Sequence, residues 1–179
     1  VSRWTSWLLV DAATQRLYLM EGAEARDCYP IGTAAAGLGE RSGSGCTPRG
    51  WHTVRARIGA TAPRGAVFVG RRATGEIWSR ELAQQYPERD WILSRILWLS
   101  GLERGFNRLG VRDTMRRYIY IHGAPDDAPL GVACSHGCVR LGNDAIIELF
   151  PRVAVGTPVW IGNGPPLRPL PRPSHPESS

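Results

Sequence analysis

The chain has 179 residues, 42% hydrophobic and 21% charged, which suits one folded domain and excludes disorder through its body. No apolar run approaches the ~20 residues of a membrane span, and Trp7-Leu8-Leu9-Val10, as long as any in the chain, is too short for the apolar core of a signal peptide. The net charge is +6 and all 22 basic residues are arginine, so lysine Schiff-base and P-loop chemistry are excluded. Residues 7–31 read as a strand meander, with turn residues at Asp11-Ala12-Ala13-Thr14 and alternation from Arg16 to Glu21. Residues 39–50, rich in Gly and Ser, read as a flexible loop that closes over a ligand or simply connects. Ala66-Val67-Phe68-Val69, between two glycines, reads as a buried strand.

Residues 79–104 are expected to be helical. Ser79 is placed to cap a short first turn. Pro87 to Asp90 then look like a second start, followed by Ile92, Ile96, Leu99 and Leu102 at helical spacing. Residues 117–122 alternate, with Tyr118, Tyr120 and His122 on one face and Ile119 and Ile121 on the other. A short amphipathic helix is expected over residues 144–150. A last strand is expected over 153–161, pushed toward a sheet edge by Pro158. Residues 163–179 are Pro-rich and polar, and are expected to be a disordered tail.

The chemistry concentrates between residues 120 and 141, where His122, His136 and Cys138 fall close together. A cysteine attacks only as its thiolate, and an ordinary thiol of pKa about 8.5 is barely ionised at neutral pH. A neighbouring histidine supplies a proton acceptor, and a neighbouring guanidinium stabilises the anion. Gly137 permits a sharp turn before Cys138 that would expose the sulfur. Arg140, two residues on, shares the cysteine's face if the segment is extended. His136 and His122 both qualify as the base; spacing favours His122, because the loop from it to Ser135 can return Cys138 to the strand end.

Cys134, His136 and Cys138, with His122, also resemble a Cys2His2 metal set. Their single-residue spacing and the roughly 7 Å between alternate strand positions argue against one small ion. The four cysteines are too few for a disulfide framework. Nucleic acid would call for a stripe or cluster of charge, whereas the arginines are scattered along the sequence, so no nucleic-acid partner is expected.

Ser135-His136-Gly137-Cys138-Val139-Arg140, with His122-Gly123 upstream, resembles the active-site motif of the L,D-transpeptidases, the YkuD or ErfK/YbiS family. Val10-Asp11 with Gln15-Arg16-Leu17, the loop Gly45-Cys46-Thr47-Pro48-Arg49-Gly50, and Gly156-Thr157-Pro158-Val159 extend the resemblance over roughly residues 7–162. It implies a mainly β fold, a mixed β-sheet sandwich with a helical insert near 79–104 and a short helix after the cysteine. The catalytic domain would be residues 1–162.

The resemblance implies Cys138 as nucleophile, His122 as base and the Gly123 carbonyl as the group orienting the imidazole. Arg140 would bind or orient substrate, with Ser135, His136 and Gly137 around it; backbone N–H groups near Gly137 and Cys138 are the expected oxyanion donors. No metal or cofactor is implied. The implied reaction is acyl transfer between peptidoglycan stem peptides as donor and acceptor. An anchored lipoprotein is a possible acceptor, and the setting is the periplasm or cell envelope. Water as acceptor would give an L,D-carboxypeptidase. A non-catalytic metal- or cell-wall-binding module is the alternative of another class. In papain-like hydrolases the cysteine precedes the histidine, the reverse of the order here.

Overall fold

The computed structural model describes residues 6–171. It holds ten strands: β1 Ser6–Asp11, β2 Arg16–Glu21, β3 Glu24–Pro30, β4 Gly50–Ile58, β5 Ala66–Val69, β6 Arg72–Ile77, β7 Ile92–Gly101, β8 Tyr120–Ala124, β9 Val139–Gly142 and β10 Pro158–Gly162. Two short α-helices, α1 Arg80–Gln85 and α2 Asn143–Leu149, complete the regular structure with two 3-10 turns. All ten strands form one curled mixed sheet in the order β3-β2-β1-β10-β4-β7-β5-β6, with β8 added to β7 and β9 to β8. The β1–β10 and β8–β9 pairs are parallel, and the others are antiparallel.

Strand alternation sorts the apolar residues into separate cores. Leu8 and Val10 of β1, Leu17 and Leu19 of β2, Ile121 of β8, Val139 and Leu141 of β9 and Val159 and Ile161 of β10 meet on the inner face. Ile146 and Leu149 of α2 close that core. On the opposite face, Leu9, Met20, Trp51 and Trp160 make a second cluster. Ala66, Phe68, Ile96 and Tyr120 make a third, against which Cys138 packs.

The helix expected over 79–104 is largely wrong. Ser79 does cap a helix, its hydroxyl accepting from Leu82 N at 3.1 Å, but that helix ends at Gln85 and residues 92–101 are strand. β7 lies between β4 and β8 and is covered on both sides. Leu97 and Leu99 enter the inner core, while Ile96 enters the third cluster. A strand buried on both faces shows a continuous apolar run rather than clean alternation. The register also shifts between Leu93 and Ile96, where Ser94 has φ +68°. That bulge resets the phase, so the apolar residues fall by coincidence at helical intervals.

Pro158 does not place its strand at an edge. β10 sits between β1 and β4. A proline at the first residue of a strand is tolerated because it interrupts little of the ladder. Residues 163–171, expected to be disordered, instead lie against the tryptophans. Trp51 Nε1 donates to Arg168 O at 2.9 Å, Leu170 packs on the cluster, and the Arg168 guanidinium pairs with Glu103. Residues 172–179 of the expected tail are outside the described residues. No described helix is long and apolar enough to cross a membrane.

Candidate active site

β8 and β9 run parallel, with Ile121 opposite Val139 and His122 opposite Arg140. Ile121, Val139 and Leu141 face the inner core, so Tyr120, His122, Cys138 and Arg140 share the other face. The topology therefore brings together the two halves of the sequence motif, and half-buried Cys138 reaches a cleft of about 460 Å³. Arg71, Asp90, Arg117, Tyr118, Ser135 and His136 are among its other lining residues. A larger hollow of about 850 Å³ lies elsewhere, between Trp7, Trp51 and residues 165–170; its lining is mostly apolar and lacks cysteine and histidine.

His122 is fully buried. Its Nδ1 lies 2.7 Å from Gly123 O. A carbonyl only accepts, so Nδ1 carries the proton and Nε2 presents a lone pair. That Nε2 is buried with no hydrogen-bond partner. Burial holds the imidazole pKa below its usual value, against the Gly123 bond and the Asp90 charge, which favour the cation. At neutral pH the ring is therefore a neutral base with its basic atom unoccupied. Gly123 itself has no room for a side chain, because an added Cβ would lie 2.4 Å from Leu93 O.

The Cys138 sulfur contacts the β8 backbone, with Tyr120 N–H donating to it at 3.3 Å and its own S–H directed at Tyr118 O, 3.5 Å away. Desolvation pushes the thiol pKa up to about 12. The Tyr120 N–H and the Arg140 and Arg117 charges favour the thiolate, while Asp90 opposes it. The resting pair is thus thiol and neutral imidazole.

The turn before Cys138 is clamped from two sides. Gly137 has φ +135°, which favours glycine. Ser135 Oγ donates to Cys138 O at 2.5 Å and accepts from Gly137 N at 3.2 Å. Thr47, from the distant loop, donates to Gly137 O at 2.8 Å. Gly137 N–H, one of the two expected oxyanion donors, is thus already engaged by Ser135 Oγ. His136 is exposed at the cleft. Arg140 donates to Cys134 O at 3.1 Å and to Asp90 Oδ1 at 2.7 Å.

Sequence reasoning passed over Asp90, Arg117 and the Tyr120 N–H, and named Thr47 only within its loop motif. Arg117 donates to Gly39 O, Glu40 O and Cys46 O at 3.1, 3.0 and 2.6 Å. The loop expected to be flexible is therefore pinned beside the cysteine. These bonds end on backbone carbonyls far away in sequence, and such carbonyls carry no residue-type signal. Among the described residues, no group of three or more His, Cys, Asp and Glu is arranged to hold a metal.

A histidine within β8 and a cysteine at the turn that enters its parallel neighbour β9 define a cysteine–histidine site in a curled mixed sheet. The family model of the L,D-transpeptidase catalytic domain, YkuD, matches residues 5–161, and the chain belongs to that family. It is 29% identical over 162 residues to a probable L,D-transpeptidase ErfK/SrfK of Salmonella typhimurium, and 28% identical to its Escherichia coli counterpart. Each match covers 88% of this chain and 44% of the relative, so the chain spans less than half the length of these curated proteins. Among solved structures, an L,D-transpeptidase from Mycobacterium smegmatis matches with TM-score 0.52 and 19% identity over 88% of this chain and 58% of that one. Bdellovibrio bacteriovorus Bd1075 matches with TM-score 0.54 and 18% identity over 89% and 48%. These structures share the mainly β fold.

Proposed function

We propose that this domain is a peptidoglycan L,D-transpeptidase with Cys138 as nucleophile and His122 as general base. The observation that carries the reading is the buried, unpartnered Nε2 of His122, its tautomer fixed by Gly123 O, on the same sheet face as Cys138. A basic nitrogen left without a partner in a buried site carries a desolvation cost whatever its role, and its retention on the cysteine's face supports a catalytic task.

In the proposed reaction Cys138 Sγ attacks the carbonyl carbon joining the L-centre of the third-position diamino acid to the terminal D-Ala. The thiol proton passes to His122 Nε2 as the C–S bond forms. The developing oxyanion takes the Cys138 N–H. The amide C–N bond then breaks, and the D-Ala nitrogen leaves with the proton from His122. An acceptor amine attacks the thioester, gives a proton to His122, and restores the thiol. A stem-peptide amine gives a 3→3 cross-link, and a lipoprotein lysine gives anchorage. Water gives the L,D-carboxypeptidase outcome. Ser135, Gly137 and His136 shape the turn and cleft in which the donor sits. Family membership supports peptidoglycan as substrate and the cell envelope as the place of action.

Intact-protein mass after incubation with a disaccharide-tetrapeptide tests the reading. The expected result is an adduct equal to donor minus D-Ala, release of free D-Ala, and neither with Cys138→Ala. A folded, reduced wild-type protein that yields no adduct and no D-Ala would sink it.

A further inference from the structure

Three guanidiniums line the cleft around Cys138: Arg71, Arg117 and Arg140. Two of them are committed to the protein. Arg117 is spent on the carbonyls of Gly39, Glu40 and Cys46. Arg140, the residue expected from the motif to meet substrate, is held between Asp90 and Cys134 O.

Arg71 differs. It sits at the tight connection between β5 and β6, where Val69 pairs with Arg72, and is exposed. Its guanidinium lies 4.5 Å from the Trp98 ring centroid and 5.0 Å from that of Tyr118. Those two rings stack on each other at 6.2 Å. Nη1 donates to Tyr120 Oη at 3.2 Å. Among the described residues no carboxylate pairs with it, whereas Arg49, Arg64, Arg89, Arg140, Arg152 and Arg168 all have one. Two aromatic rings and a hydroxyl thus hold the fork in place while its remaining N–H donors stay unused. A guanidinium fixed in advance loses less freedom on binding and matches a carboxylate through two parallel hydrogen bonds.

We propose that Arg71 is a carboxylate-binding subsite of the Cys138 cleft, and that it captures a free carboxylate of the stem peptide. The proposal rests on the stem-peptide reading of the site. Two carboxylates sit on the residues joined by the scissile amide: the α-carboxylate of the terminal D-residue and the side-chain carboxylate of the third-position diamino acid. In either case Arg71 sets the register of the peptide against the sulfur, and Arg140 keeps the turn in shape through Asp90 and Cys134.

The test measures equilibrium binding by titration calorimetry on Cys138→Ala protein, which holds peptide without reacting. The ligands are the tetrapeptide, its C-terminal amide and its diamino-acid side-chain amide. The expected result is that the free acid binds about tenfold to a hundredfold more tightly than one of the amides. That amide identifies the carboxylate. Arg71→Gln abolishes the difference, Arg71→Lys restores part of it, and Arg72→Gln, an equal charge change on the neighbouring exposed residue, leaves it intact. An acid-to-amide ratio that survives Arg71→Gln overturns the subsite. So do equal weakening of all three peptides and binding of none. Acyl-enzyme mass, measured separately on Cys138-containing protein, separates the two readings. An adduct with an unchanged ratio leaves the reaction standing and removes the subsite. No adduct with a collapsed ratio does the reverse.

Discussion

Thr47 and Gly137 are joined by a 2.8 Å hydrogen bond that ties the loop before β4 to the turn presenting the cysteine. Thr47 is fully buried, and its hydroxyl oxygen also accepts from Ala34 N at 2.9 Å. One hydroxyl therefore satisfies a donor and an acceptor that would otherwise be buried unpaired. Thr47→Val keeps the volume and removes both bonds. The expected cost is about 1–3 kcal/mol of stability, read by urea unfolding, with slower acylation of Cys138. Unchanged stability and rate would show that the clamp does not position the turn.

Gly123 is expected to tolerate no side chain. The obstacle to an added Cβ is the Leu93 carbonyl at 2.4 Å, which belongs to a paired strand and cannot swing aside. Gly123→Ala should push β8 from β7 and displace the carbonyl that holds His122 Nδ1. A loss of about 1–3 kcal/mol is expected, together with a fall in acylation beyond that of a stability-matched core variant such as Leu149→Ala. Acylation equal to that of the stability-matched variant would leave Gly123 a packing residue only.

Much of this site was legible because its chemistry is compressed into two short motifs. Ser135 to Arg140 announces a turn bearing a cysteine, and Tyr118 to Gly123 announces a strand carrying a histidine, although β8 begins only at Tyr120, after Tyr118 at φ +54°, and runs on past His122 to Ala124. The parallel pairing that brings them together, His122 opposite Arg140, is a tertiary fact that the sequence left to the family resemblance. The β1–β2–β3 meander was legible through its turns and alternation. β7 was not, since burial on both faces and the bulge at Ser94 give a strand the apolar spacing of a helix. Nor was the commitment of Arg140 to Asp90, because an ion pair across fifty residues leaves no mark on either segment.

The resting protonation state is open to direct chemistry. With its thiol pushed up to about 12, Cys138 should be alkylated slowly by iodoacetamide at pH 7. The rate should rise about tenfold per pH unit through pH 10, as the thiolate fraction does. Peptide mass mapping distinguishes it from Cys28, Cys46 and Cys134. The acid limb of acylation should fall below pH 6.5, because burial lowers the His122 pKa and the neutral ring is the base. Alkylation that levels off below pH 8 would instead identify a preformed thiolate–imidazolium pair.

His52 gives the fold its own dependence on acid. It is fully buried away from the cleft, with Nδ1 donating to Gly50 O at 3.0 Å and Nε2 3.1 Å from Thr114 Oγ1. Burial pushes its pKa down from 6.5 to about 4. Between those values the unfolded chain binds a proton that the folded chain refuses, so stability rises with pH across the window. The contribution is fully present above pH 6.5 and is lost as pH falls toward 4. About 2.5 pKa units correspond to about 3 kcal/mol, and His122, shifted the same way by burial, adds to the slope. Urea midpoints should therefore drop steeply from pH 7 to 4.5, above the range where most carboxylates take up protons. His52→Gln should lower the midpoint at pH 7 and flatten its fall toward pH 4.5. A slope as steep in the variant as in the parent would show that the acid sensitivity arises elsewhere in the fold.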